Sequence, residues 1–76
     1  MAGQPPSPAD RRIGKRIREA REHSGLTAQV LARFLKMTKQ GVLRYEDGSV
    51  AVRASTLAAI AKVLSKPIGF FYGEGR

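Results

Sequence analysis

Apolar residues return along this chain at the spacing of one helical face, in blocks separated by polar turns. Ile13, Ile17 and Ala20 share an arc with Arg21 at about 100° per residue, and Leu31, Ala32 and Leu35 share a second. Val42, Tyr45 and Glu46 make a third, and Leu57, Ile60, Ala61 and Leu64 repeat at i, i+3, i+4, i+7. The pattern predicts an all-α chain in which each helix buries a single face.

Capping signals set the boundaries. Ser7-Pro8-Ala9-Asp10 reads as a helix start, with Ser at the N-cap, Pro where a missing N–H costs nothing and Asp near the positive dipole end. That helix runs to about His23, where Gly25 supplies a left-handed stop and Leu26 follows as a packing residue. Thr27 caps a second helix over Ala28 to Leu35, and Thr38 caps a third from Lys39 to about Asp47, with Lys36-Met37 as the tight turn between them. Asp47-Gly48 closes the third. A fourth helix spans about Ala54 to Leu64; Arg53 stands where a Ser is expected, which leaves Ser55 as a later N-cap. Pro67 opens a short fifth helix to Tyr72. Residues 1–6, with two prolines and no apolar pattern, read as a flexible arm, residues 7–73 as one domain and residues 74–76 as a frayed end.

Charge changes the picture. The 76 residues contain 14 Lys and Arg against 6 Asp and Glu, a formal charge of +8, which points to a polyanionic partner and first of all to nucleic acid. The absence of cysteine excludes a disulfide framework and a thiolate metal site and fits a reducing cytosol. Neither a signal peptide nor a membrane-spanning run is present, so a soluble, cytoplasmic chain is expected. His23 is the single histidine, no Gly-rich phosphate loop follows a strand, and the carboxylates lack metal-ligand spacing. An enzyme, a cofactor and a metal site are therefore not expected.

Two short helices joined by a tight turn are the layout of a helix-turn-helix. Its second helix presents Gln40, Leu43 and Arg44 outward, with Lys39 at its N-terminal edge. Gln can bond adenine N6 and N7, Arg or Lys can bond guanine O6 and N7, and Leu can meet a thymine methyl. Lys39 and Arg44 could equally hold phosphates. Gly41 either lets the backbone approach a base closely or is a tolerated glycine at a helix start. Phosphate contacts are expected from Thr27, Gln29, Thr38 and Arg53. The first helix is basic on its outer side, where Lys15-Glu19 and Arg18-Glu22 can pair locally.

The motifs Ile13-Gly14-x-Arg16-Ile17-Arg18-x-x-Arg21, Gly25-Leu26-Thr27, Leu31-Ala32-x-x-Leu35, Thr38 through Tyr45-Glu46-x-Gly48, and Leu57-x-x-Ile60-Ala61-x-x-Leu64 occur here in this order. Together they resemble the Cro/cI-type, xenobiotic-response-element (XRE) family of bacterial and phage regulators. The resemblance implies a five-helix, lambda-repressor-like domain that binds double-stranded operator DNA as a homodimer, with the third helix in the major groove, and acts as a repressor. It also implies an Arg21–Glu46 ion pair, which agrees with a charge on each of two otherwise apolar arcs. The chain departs from the family at Ala28, where Gln usually contacts a phosphate, and at Lys36, where the turn usually has Gly. The dimer contacts are expected from Phe70, Phe71 or Tyr72 with Val50 and Val52, since a short terminal helix cannot bury three successive aromatics. Val30 and Phe34 lie off the buried arc of the second helix. They suggest a patch for another protein, as in an antitoxin, although cover by the N-terminal extension of the first helix is the favoured expectation.

Overall fold

A computed structural model describes residues 7–73, so the expected arm and frayed end lie outside the described residues. Five helices follow one another: α1 (Pro8–His23), α2 (Ala28–Leu35), α3 (Lys39–Glu46), α4 (Ala54–Val63) and α5 (Ile68–Phe71). The all-α expectation is met. α1 packs on α3 and α5, α2 on α3 and α4, and α4 on α5. Ile17, Leu31, Val42, Leu57, Ile60 and Phe71 are the largest fully buried side chains, so every helix contributes to one core.

The helix starts follow the sequence. Ser7 Oγ accepts from Asp10 N–H at 3.1 Å while Asp10 Oδ2 accepts from Ser7 N–H at 2.9 Å, a complete capping box with Pro8 inside it. Two expectations need correction. Ser55 does not cap α4, because Arg53 holds the N-cap position without a side-chain bond and Ser55 already lies in the helix. Pro67 is not the first residue of α5 but its N-cap, and α5 is a single turn.

Four helix ends share one hydrogen-bond pattern. Leu26 N–H bonds Arg21 O at 3.1 Å and Gly25 N–H bonds Glu22 O at 3.0 Å, a Schellman motif around Gly25 at φ 77°. Met37 to Ala32, Ser49 to Arg44 and Lys66 to Ala61 repeat it. In two of these the left-handed residue is not glycine: Lys36 has φ 55° and Ser65 φ 57°. Lys36 thus adopts the usual turn geometry despite its Cβ.

Gly14 sets how closely α1 and α3 approach. A Cβ there would lie 2.2 Å from Tyr45 O and 2.6 Å from Glu46 O, so the two helices touch backbone to side chain-free backbone. The first turns of α1 point elsewhere than expected. A Cβ on Gly48 would meet Arg11 Cγ at 2.8 Å, and one on Gly73 would meet Arg12 Cδ at 3.4 Å. This end of α1 packs against the α3–α4 loop and the end of the chain, and it leaves Phe34 61% exposed. Cover of Phe34 by the extension is therefore not found.

Candidate nucleic-acid interface

The fold fixes one face of α3 and leaves the other open. Val42 and Glu46 are buried, Tyr45 is half-buried, and Lys39, Gln40, Leu43 and Arg44 are exposed. Gln40, Leu43 and Arg44 stand at i, i+3, i+4 and share one stripe. Thr38 Oγ1 accepts from Gly41 N–H at 3.1 Å, and Thr27 Oγ1 accepts from Val30 N–H at 3.1 Å at the start of α2. Both hydroxyls keep their own proton to donate. Gln29 and Arg53 are exposed. Gly41 is half-buried, and a Cβ on it would meet Met37 Cε at 2.5 Å, so the missing side chain leaves room for the turn residue behind it.

One guanidinium holds α3 in place. Arg21 Nε donates to Glu46 Oε2 at 2.6 Å and Nη2 to Oε1 at 3.0 Å, while Nη1 donates to Leu26 O at 2.8 Å. The pair joins α1, the α1–α2 turn and the buried face of α3. Its side chains are 11% and 5% exposed, which is burial enough to exclude most screening. Hydrogen bonding to Glu46 raises the Arg21 pKa above its already high ordinary value, burial opposes this, and the charge of Glu46 adds to it. Arg21 therefore stays charged at every pH at which the protein is folded.

After α3 the chain turns on Asp47. Its Oδ1 accepts from Ser49 N–H at 2.8 Å and from the Ser49 hydroxyl. These bonds, side-chain first and backbone second, hold the Asp47 carboxyl below its ordinary range. The turn leads to Val50, exposed, and Val52, half-buried against the core. A cleft of about 280 Å³ beside α3 is lined by Arg18, Arg21, Leu43, Glu46 and Asp47, which brings α1's Arg18 next to the exposed stripe. Arg18 is held there by Glu22 at 3.2 Å; the other local pair, Lys15 with Glu19, is not formed.

The expected dimer residues separate into three kinds. Phe71 is fully buried, so its assignment to an interface is corrected: it fills the core between α1, α4 and α5. Phe70 is half-buried and packs edge-on against Phe71, with Arg16 Cζ 4.9 Å and Lys66 Nζ 5.0 Å from its ring centroid. Tyr72, 44% exposed, is the outward ring. Val30 is half-buried. The sequence reading did not single out Ser65, Ile68 or the cations over Phe70. Ile68 carries a signal, an apolar residue directly after Pro67, whereas Ser65 carries none. Among the described residues no group of three or more His, Cys, Asp or Glu could hold a metal ion, and no helix is long and apolar enough to cross a membrane.

Five helices with a central helix-turn-helix define the class of domain, and comparison with known proteins agrees. The family model for the helix-turn-helix domain matches residues 12–65. The chain belongs to this helix-turn-helix family, in its XRE-like branch. An uncharacterized HTH-type transcriptional regulator of Sinorhizobium medicae (strain WSM419) is 37% identical over 69 residues, 91% of this chain and 50% of that protein. A protein of Rhodospirillum rubrum described as an uncharacterized transcriptional regulator in the ATPase CF(0) region is 35% identical over 65 residues, 86% of this chain and 60% of that one. The chain spans about half the length of these curated relatives.

Solved structures share the fold. The clp gene regulator ClgR from Corynebacterium glutamicum superposes with a TM-score of 0.80 at 20% identity, covering 86% of this chain and 84% of that one. The restriction-modification controller protein C.AhdI from Aeromonas hydrophila gives 0.76 at 24% identity, covering 82% and 94%. Hydroxypropylphosphonic acid epoxidase from S. wedmorenis gives 0.78 at 25% identity, with 83% of this chain matched to 34% of the enzyme. The fold thus occurs in regulators and as part of an enzyme, and a function has to be argued from the exposed residues.

Proposed function

We propose that residues 7–73 are the DNA-binding domain of a transcriptional regulator that binds a palindromic operator as a homodimer and represses by occluding it. The observation that carries the reading is the exposed stripe of α3. Lys39, Gln40, Leu43 and Arg44 project from a helix whose opposite side is anchored by Val42 and by the Arg21–Glu46 pair. A rigid helix bearing amide, guanidinium and ammonium donors suits the major groove, which is wide enough to admit it. Gln40 reads adenine, Lys39 and Arg44 read guanine, Leu43 meets a thymine methyl, and Gly41 keeps the start of α3 narrow. Thr27, Gln29, Thr38 and Arg53 hold phosphates on either side.

The formal charge of +8 supplies attraction to DNA at a distance. The curated relatives are named as transcriptional regulators, and some are bacterial proteins matched over nearly all of this chain. The setting that fits is the cytoplasm of a bacterium, with the gene carried by the bacterium or by a phage. Selection of bound duplexes from a random library tests the reading. An enriched sequence with two inverted half-sites one helical turn apart is expected. Recovery of no preferred sequence would overturn it.

A further inference from the structure

We propose that the groove between the last turns of α2 and α4 docks an acidic, amphipathic segment of a partner protein. The groove has a volume of about 500 Å³ and is lined by Ser24, Leu26, Phe34, Val63, Leu64 and Ser65. Leu64 is buried and Leu26 and Val63 are half-buried, so they form an apolar floor, while Phe34 stands at its edge as the most exposed large hydrophobic residue described. A single exposed apolar side chain is ordinary on a protein surface. An exposed phenylalanine beside a floor of three aliphatic side chains is a socket of the kind that takes apolar anchors from a helix.

Charge selects the occupant. α2 and α4 carry one charged residue each, Arg33 and Lys62, both basic, both exposed and each directly preceding a groove residue. Neither helix has a carboxylate. These cations complement the negative ends of their own helix dipoles, but that role leaves Phe34 unexplained. A second copy of this chain would bring another +8 and the same basic rim to the contact. A phosphate backbone gains nothing from an aliphatic floor. A helix with leucines on one face and glutamates beside them satisfies both the floor and the rim.

The groove does not compete with the proposed DNA face. Phe34 lies seven residues after Thr27, about 10 Å along α2 from the end that faces phosphate. One protein can therefore hold duplex and partner together, which is what a regulator that recruits another protein needs.

The test uses the full chain and three fluorescein-labelled synthetic peptides. One has Leu at i, i+3, i+4 and i+7 with Glu between, one is its scramble with the same charge, and one replaces Glu with Lys. Anisotropy titration gives affinity, and amide chemical shifts locate the contact. Saturable binding of the first peptide is expected, with shifts at Leu26, Phe34, Val63 and Leu64. Phe34→Ser should weaken it by about tenfold or more, the usual loss of a buried anchor. The double variant Arg33→Glu, Lys62→Glu should weaken it too, while duplex binding by Phe34→Ser remains unchanged. Equal affinity for the scrambled or the Lys peptide would overturn the proposal, as would undiminished binding by Phe34→Ser. A change from dimer to monomer in sedimentation of Phe34→Ser alone would assign the groove to a second copy and overturn it as well.

Discussion

Arg21 spends three donors on two partners, and its removal leaves Glu46 buried with no counter-charge. Arg21→Ala is expected to cost about 3–5 kcal/mol, the usual penalty for breaking a buried pair from one side. Arg16→Ala removes only a cation from the face of Phe70 and should cost about 1 kcal/mol or less. Chemical denaturation of the two variants separates them, and equal small losses would mean that the pair is solvated. This pair was legible in the sequence because each charge broke an apolar arc. Asp47 carries a second residue-scale expectation. Its carboxyl lies below its ordinary pKa in the folded protein, so its contribution is present above the unfolded value and is lost as pH falls through the folded one. Asp47→Asn should therefore destabilise the protein at neutral pH and converge with wild type in acid, measured by thermal unfolding across that range. Gln40 and Arg53 divide by what they touch. Gln40→Ala should relax base preference at one position per half-site, whereas Arg53→Ala should weaken all duplexes alike and lower the salt slope by about 1. Titrations of matched and altered duplexes at two salt concentrations read both.

Helices α1, α2 and α3 were legible nearly to the residue because their caps, Ser7, Thr27 and Thr38, are residue types with a hydroxyl to spend. α4 and α5 were less so. Arg53 and Pro67 start them without a side-chain bond, and Ser65 ends α4 in a left-handed turn that its identity does not announce. Gly14 shows the same limit from another side: a glycine reveals that a side chain is missing, and only packing reveals that Tyr45 and Glu46 carbonyls fill the space. Gly14→Ala should push α1 from α3 and destabilise by about 1–3 kcal/mol, as overpacking does. Gly41→Ala meets only the flexible end of Met37, and it adds helix propensity worth up to about 1 kcal/mol. It should fold at least as well as wild type. Urea denaturation of both variants checks the contrast, and equal losses would show that the α1–α3 contact is no tighter than the turn around Met37.

At the scale of the whole molecule the sequence says which faces are apolar but not which way a helix extension runs. The first turns of α1 were expected over Phe34 and lie instead against Gly48 and Gly73. That placement bears on the proposed dimer. Arg11 and Arg12 of α1 touch the α3–α4 loop on one side and the end of the chain on the other, so Val50 and Tyr72 come to the same end of the molecule. Phe71 is spent in the core and Phe70 is covered by Arg16 and Lys66, which leaves Tyr72 and Val50, with Val52 and Phe70 behind them, to meet a second protomer. The long axis of one protomer is 36 Å, and half-sites one turn apart are separated by about 34–36 Å. Two protomers can thus sit on adjacent major grooves and meet between them. One protomer alone reads too few base pairs to locate an operator, so pairing on DNA is where the specificity arises. Analytical ultracentrifugation on a palindromic duplex is expected to give two chains per site. The double variant Val50→Ser, Tyr72→Ser, altered only at exposed positions, should keep its fold and its half-site affinity while losing cooperative filling of the full site. A saturated complex of one chain per full site would overturn the dimer, and so would wild-type cooperativity in the double variant.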